Sequence, residues 1–268
     1  MIFFVPLGIN SLWGNNELKY MLRSLQANFM DEFDVVLYST TTPEWYKGYS
    51  EQIERFYPER LLKINNGHRP FENYFDVLNK VYTYVNSEQC PKEFCYIYDD
   101  IILLKQIDKT GIKNVPWLHY TNKLFKVNQS SHNGKTTNQA YILHKAKYSF
   151  EHHLPLIYKK DLLKQMFNEY KFWEQARPYS LATLYFNLYP DEYSGKPLVE
   201  ENDYKVGFEG FYENRTTCFK QDTYKDIEVA IAGKTWLNFN DTGLYWGKPD
   251  YPLKTWIVKN FKKKSRYE

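Results

Sequence analysis

Two adjacent carboxylates, Asp99 and Asp100, directly follow the run Phe94-Cys95-Tyr96-Ile97-Tyr98. An apolar run of that length reads as a buried strand, and open α/β sheets bind ligands beyond the carboxyl ends of their strands. Hard divalent cations take oxygen ligands, and Mg²⁺ or Mn²⁺ commonly bridges one or two carboxylates to substrate phosphates. The pair therefore suits a cation held against a diphosphate; the same residues would equally serve as a turn or a helix cap. His153 stands in Phe150-Glu151-His152-His153-Leu154-Pro155, where Pro155 biases Leu154 toward an extended backbone. A neutral imidazole held there would add a third metal ligand. A hydrogen-bonded core histidine is the alternative, and alternation turns His152 to the opposite face.

The elements that must position these groups follow from the apolar pattern. Residues 2–6 form a continuous apolar strand. Leu18, Met21, Leu22 and Leu25 recur at helical spacing, which predicts a helix over 15–25 capped by Asn15 or Asn16. Residues 33–38 form a second strand, so the opening is a βαβ unit. Further on, Thr42-Pro43-Glu44-Trp45 opens a short helix, 61–65 reads as a third strand and 71–85 as a helix through Phe75, Leu78, Val81 and Tyr82. An apolar run follows at 101–104. The Ser-, Asn-, Thr- and Gly-rich stretch 128–139 reads as a mobile loop or lid. Helices are expected over 159–171 and 180–189, a loop over 195–202, and short strands with turns thereafter. The architecture expected is α/β, a Rossmann-like, mostly parallel central sheet flanked by helices. It forms a single domain over 1–268, with a nucleotide-binding half at 1–105 and an acceptor-side half at 106–268.

Composition narrows the class of partner. The 268 residues can bury a full core, and 43% apolar with 25% charged residues is ordinary for a globular chain. The aromatic share of 19%, including 25 Tyr, suits a half-wet cleft that stacks rings, or simply an aromatic core. A net charge of +3 is too small to establish a nucleic-acid partner. The basic run at Lys262, Lys263, Lys264 and Arg266 reads as a solvated tail. Cys90, Cys95 and Cys218 lack metal-knuckle spacing, and an odd count with no leader pattern suggests free thiols in a reducing, cytoplasmic setting. No stretch reaches transmembrane length.

Several ordered motifs resemble a group of bacterial and phage glycosyltransferases of GT-A type, distantly like the Stealth sugar-phosphate transferases. They are Val5-Pro6-Leu7-Gly8 with Ser11, then Asn16-Glu17-Leu18-Lys19-Tyr20-Met21-Leu22-Arg23-Ser24, then Pro43-Glu44-Trp45. Tyr98-Asp99-Asp100 stands where the group has Asn-Asp-Asp, and His153-Leu154-Pro155 precedes Lys159 and Lys160. Leu184-Tyr185-Phe186-Asn187, Asp203-Tyr204-Lys205 and the ending Ser265-Arg266-Tyr267-Glu268 complete the set. The departure is Tyr98, where the group carries an amide or acid.

The resemblance implies a GT-A-like fold and transfer of a sugar from a nucleotide-diphosphate sugar to a hydroxyl, assisted by Mn²⁺ or Mg²⁺. Asp100 would be the closest metal ligand, with Asp99 direct or through water and His153 completing the site. Pro6, Leu7, Gly8 and Asn10 would meet the nucleotide, with Gly8 letting the backbone approach. Arg23 would reach the base or diphosphate, or else form an ion pair on its helix. Arg69 and Lys205 suit phosphate or sugar oxygens. Ser180, Asn187 and Asp203 would line the sugar or acceptor side. Asp203, Glu151 and Asp241 are the candidates for a general base. The acceptor is open between a surface glycan and a hydroxymethylated base in phage DNA, which would have to be flipped from the duplex. Competing readings are a sugar-1-phosphate transferase and a non-catalytic glycan-binding relative.

Overall fold

A computed structural model describes residues 1–8, 13–112, 132–146, 148, 150, 154–193, 211–214, 228, 231–233, 235–239 and 252–268. In chain order the elements are β1 (Ile2–Leu7), α1 (Asn16–Asn28), β2 (Asp34–Ser39), β3 (Tyr49–Gln52), α2 (Glu59–Ile64), α3 (Glu72–Asn86), β4 (Glu93–Tyr96) and β5 (Ile101–Leu103). They continue with α4 (His132–His144), β6 (Leu156–Lys159), α5 (Lys160–Glu169), α6 (Leu181–Leu188), β7 (Phe211–Asn214), β8 (Trp236–Phe239) and α7 (Pro252–Asn260).

The main sheet has the order β3-β2-β1-β4-β6. Its first four strands run parallel, and β6 returns antiparallel against β4. Alternation along β1 builds both faces. Phe3, Val5 and Leu7 pack with Leu18, Met21, Leu22 and Leu25 of α1. Phe4 faces the other way, against Phe75, Leu78, Val81 and Tyr84 of α3, and stacks on Tyr84 with ring centroids 4.2 Å apart. The chain walks outward from β1 to β2 and β3, then crosses back to place β4 on the far side of β1. That reversal opens a crevice at the carboxyl ends of β1 and β4, where doubly wound sheets bind their ligands. The class is therefore the Rossmann-like, mostly parallel α/β arrangement that the alternation of elements implied.

A second sheet, β5-β8-β7, packs beside α1. Ser24 ties the two layers: its hydroxyl donates to the Met21 carbonyl (2.7 Å) and accepts from the Leu103 amide (2.9 Å). Among the described residues no helix is long and apolar enough to cross a membrane.

Four local expectations are corrected. Residues 61–65 lie in and just after the helix α2 rather than a strand: Pro58 stands at its start, where a fixed φ suits helix entry, and Leu61 turns into the core. Thr42-Pro43-Glu44-Trp45 makes only a turn, closed by the Tyr46 amide on the Pro43 carbonyl, because Tyr46 is drawn onto Tyr267. From His132 onward the expected lid is the helix α4. Thr136, Thr137 and Ala140 are buried in it, and that burial overrides the poor helix propensity of its sequence. Residues 156–159 are the edge strand β6, and the following helix begins at Lys160. The rest of the lid stretch, 128–131, and the loop expected at 195–202 lie outside the described residues.

Candidate functional site

The chain enters the crevice at two points. β1 delivers Pro6 and Leu7, both buried, and then the exposed Gly8. A Cβ built on Gly8 would meet nothing within 4 Å. Among the described residues, therefore, no packing demands glycine there. β4 delivers Tyr96 and Ile97, whose amide still bonds the Phe4 carbonyl at 3.0 Å. Tyr98, Asp99 and Asp100 follow, all half-buried, with the two carboxylates in the turn that leads to β5.

A buried ion pair fixes the first of these points, and sequence reasoning missed it. Lys80 on α3 is fully buried; its ammonium donates to the Leu7 carbonyl at 2.8 Å and to Asp76 Oδ2 at 2.6 Å. Asp76 Oδ1 in turn accepts the Phe56 amide at 3.2 Å. A buried charge is tolerable only when paired and hydrogen-bonded, and both conditions hold here. The signal was present: an acid and a base at i, i+4 within the apolar stripe of α3.

Beside Tyr98 lies a cavity of about 190 Å³. Its floor is Tyr96 of β4 and Tyr158 of β6, and one wall is Asn73, Tyr74, Val77 and Leu78 of α3. The opposite wall is Tyr179, Ser180, Leu181 and Ala182 at the start of α6. Ser180 caps that helix, accepting the Thr183 amide at 3.1 Å, while its own amide donates to the Thr136 carbonyl of α4. Burial pushes the Tyr179 phenol well above its ordinary pKa, so it stays protonated at neutral pH. Just before α3, Phe71 sits in the left-handed region (φ 64°), a conformation a bulky residue holds only when its surroundings impose it.

The other expected site residues fall as follows. Arg23 takes the ion-pair alternative: Nε and one terminal nitrogen meet the two Glu268 oxygens at 2.7 and 2.6 Å, and the other nitrogen bonds the Phe261 carbonyl. The bond to Glu268 raises the Arg23 pKa further. Arg69 is half-exposed and pairs with Glu72 at 2.8 Å at the start of α3. Asn187 braces the chain at Tyr148, donating to the Tyr148 carbonyl and accepting its amide. Asn10, Glu151, His153, Asp203, Lys205 and Asp241 lie outside the described residues. The structure thus brings Pro6, Leu7 and Gly8 together with Asp99 and Asp100 at one sheet edge, and sets Ser180 in the adjoining cavity.

The donor set at the edge fits a hard cation. Asp99 and Asp100 offer only oxygen, and two carboxylates plus water and phosphate oxygens are a common Mg²⁺ or Mn²⁺ sphere. Among the described residues, no group of three or more His, Cys, Asp or Glu side chains could hold a metal by itself.

No protein-family model and no curated protein matches the chain. Among the solved structures that resemble it in outline are two glycosyltransferases. A galactosyltransferase, LgtC, in complex with donor and acceptor sugar analogs, shares 10% identity over 100% of this chain and 97% of its own, at a TM-score of 0.46. The apo form of mouse xyloside xylosyltransferase 1 shares 9% identity over 94% and 98%, at 0.39. The sheet order above, and not this distant likeness, places the chain in the α/β class.

Proposed function

We propose that the chain is a GT-A-type glycosyltransferase that moves a sugar from a nucleotide-diphosphate donor to a hydroxyl. One observation carries this reading: Asp99-Asp100 leaves β4 at the topological switch point of a doubly wound sheet, at the same carboxyl end at which β1 runs into Gly8. The LgtC and xylosyltransferase structures are named for reactions of the same class. Asp99 and Asp100 would hold a divalent cation, with His153 as a further candidate ligand, and that cation would neutralise charge on the departing diphosphate. The 6–8 segment, braced by Lys80, would present its backbone to the nucleotide. Arg69, paired with Glu72 at the start of α3, would exchange that carboxylate for a phosphate or sugar oxygen. Asp203 remains the candidate base, and a glycan or a modified DNA base the candidate acceptor.

The test is a thermal-shift screen of nucleotide-diphosphate sugars with and without Mn²⁺. Ligand at a hundredfold over its Kd should stabilise the native chain by about 2.7 kcal/mol. The expected result is a shift that needs both metal and diphosphate, and that disappears in Asp100→Ala with the circular dichroism unchanged. A shift of equal size in the mutant would remove the carboxylate corner from the site. Release of a nucleoside monophosphate instead of a diphosphate would assign the sugar-phosphate transfer reaction.

A further inference from the structure

The basic run at Lys262, Lys263 and Lys264 is pinned at both ends. On one side Arg23 donates to the Phe261 carbonyl at 3.1 Å, and the same guanidinium grips the Glu268 carboxylate. On the other side that carboxylate accepts the Ser265 amide at 3.0 Å. All three lysines between these anchors are exposed. Like charges repel, and solubility alone would be served by a loop free to spread them. Nor is their charge needed at the carboxyl end of α7, where Arg23 already supplies a cation.

The helix before the loop extends the same face. Thr255, Val258 and Lys259, three and four residues apart, point outward together, and Val258 is 39% exposed. Leu253 and Ile257 face inward and are buried. Between the two faces Trp256 and Phe261 are half-buried against the core of Ile102 and Leu237, their rings 6.2 Å apart. Four lysines therefore surround an exposed aliphatic side chain and two aromatic rings that lie partly outside the core.

Two polyanions attract such a face, a layer of lipid headgroups and a nucleic-acid backbone. Nucleic-acid recognition favours arginine, whose planar fork takes a phosphate through two bonds. Both arginines of this region are committed, Arg23 to Glu268 and Arg266 to Asp34. The exposed cations are lysines, point charges suited to the diffuse field above anionic lipid. An exposed valine gains nothing against phosphodiesters, whereas at a bilayer it enters the acyl boundary while Trp and Phe anchor at headgroup depth.

We propose that α7 and the 261–264 loop form a docking face for an anionic lipid surface, bound reversibly and in the plane of the headgroups. The proposal goes beyond the transferase reading and does not depend on it. The amino end of α7 lies beside Trp13, with the Lys254 ammonium 5.4 Å from that ring, and Trp13 precedes α1 at its crevice end. A chain docked through this face would carry the crevice beside the membrane.

The experiment is co-sedimentation of the full chain with vesicles of phosphatidylcholine alone and of equal parts phosphatidylcholine and phosphatidylglycerol, at low and high salt. Fluorescence anisotropy with a mixed-sequence DNA duplex runs beside it. The chain should bind the anionic vesicles and not the zwitterionic ones, and salt should weaken the binding by screening. Lys262→Gln, Lys263→Gln and Lys264→Gln together should lower the partition coefficient roughly a hundredfold, at about fivefold for each lysine. The melting temperature should hold, because those side chains are exposed. The same loss of charge made by Lys63→Gln, Lys92→Gln and Lys171→Gln, all exposed and none on α7 or its loop, should leave vesicle binding nearly unchanged. Val258→Ser should weaken it severalfold without altering its dependence on salt. The proposal is overturned if the anionic vesicles do not bind, if both lysine triples lower binding equally, if Val258→Ser binds as the native chain does, or if the duplex binds through the same lysines more tightly than the vesicles do. Vesicles supply neither nucleotide nor metal, so a failed nucleotide screen with this result intact would sink only the transferase reading.

Discussion

Lys80 shows how one residue can matter to a site it does not touch. Its ammonium holds the last carbonyl of β1 and Asp76 together in the interior, so the 6–8 segment inherits its position from α3. Removing one partner of a buried pair leaves the other charged and unpaired, which costs ~3–5 kcal/mol. Lys80→Met should lower the urea denaturation free energy by about that amount. The double change Lys80→Met with Asp76→Leu should recover much of the loss, because two apolar groups need no pairing. If the double variant is no more stable than the single, the loss comes from the freed Leu7 carbonyl and Phe56 amide instead. At Gly8 the contrast is instructive: a methyl at Gly8→Ala meets no atom among the described residues, so stability should stay within about 0.5 kcal/mol. Nucleotide affinity measured by calorimetry should fall; an unchanged affinity would place the ligand away from this backbone.

At the scale of elements, the last four residues act as a strap. Arg23 grips the Glu268 carboxylate, the Ser265 amide donates to it at 3.0 Å, and the Lys47 amide donates to the Tyr267 carbonyl. Tyr267 stacks on Tyr46, and a Cβ on Gly48 would collide with both rings, so that glycine is required by packing. Arg266, read from sequence as part of a solvated tail, pairs with Asp34 and lies over the Phe33 and Tyr267 rings. Burial alone would raise the Glu268 pKa, but the Arg23 and Ser265 bonds outweigh it and the native value lies below the ordinary one. A lowered native pKa gives stability that is complete above the unfolded value of about 4.3 and is lost as pH falls below it. Glu268→Gln should therefore cost about 1–3 kcal/mol near pH 7. The gap to the native chain should narrow steadily between pH 5 and pH 3. A gap that is constant across that range would mean the carboxylate charge contributes nothing.

For the whole molecule, the elements legible in the sequence were those with their own periodicity. The stripe of α1, the alternating faces of β1 and the run into Asp99-Asp100 each bury a pattern that a single segment carries. What was illegible depends on partners distant in the chain. Residues 61–65 have β-like composition but take their helix from Pro58, and α4 is helical because Thr136 and Ala140 find a buried place beside α6. Similarly, the cavity joins α3, β4, β6 and the start of α6, so only its Ser180 was anticipated. The same distance-spanning logic makes α1 a common bed for both sheets. Leu18, Met21, Leu22 and Leu25 face the main sheet, while Tyr20 packs with Ile102 and Leu237 of the second, and Ser24 bonds its Leu103. With one helix serving two layers, neither sheet can release its face of α1 without exposing apolar surface on the other, so unfolding should be a single transition. Tryptophan fluorescence, with Trp236 in the second sheet, and far-ultraviolet dichroism should give coincident urea curves. Ser24→Ala, which strands the Leu103 amide in the interior, should shift both curves together by about 1–3 kcal/mol. Curves that separate in the variant, with fluorescence moving first, would show that the second sheet can come away from an intact α1.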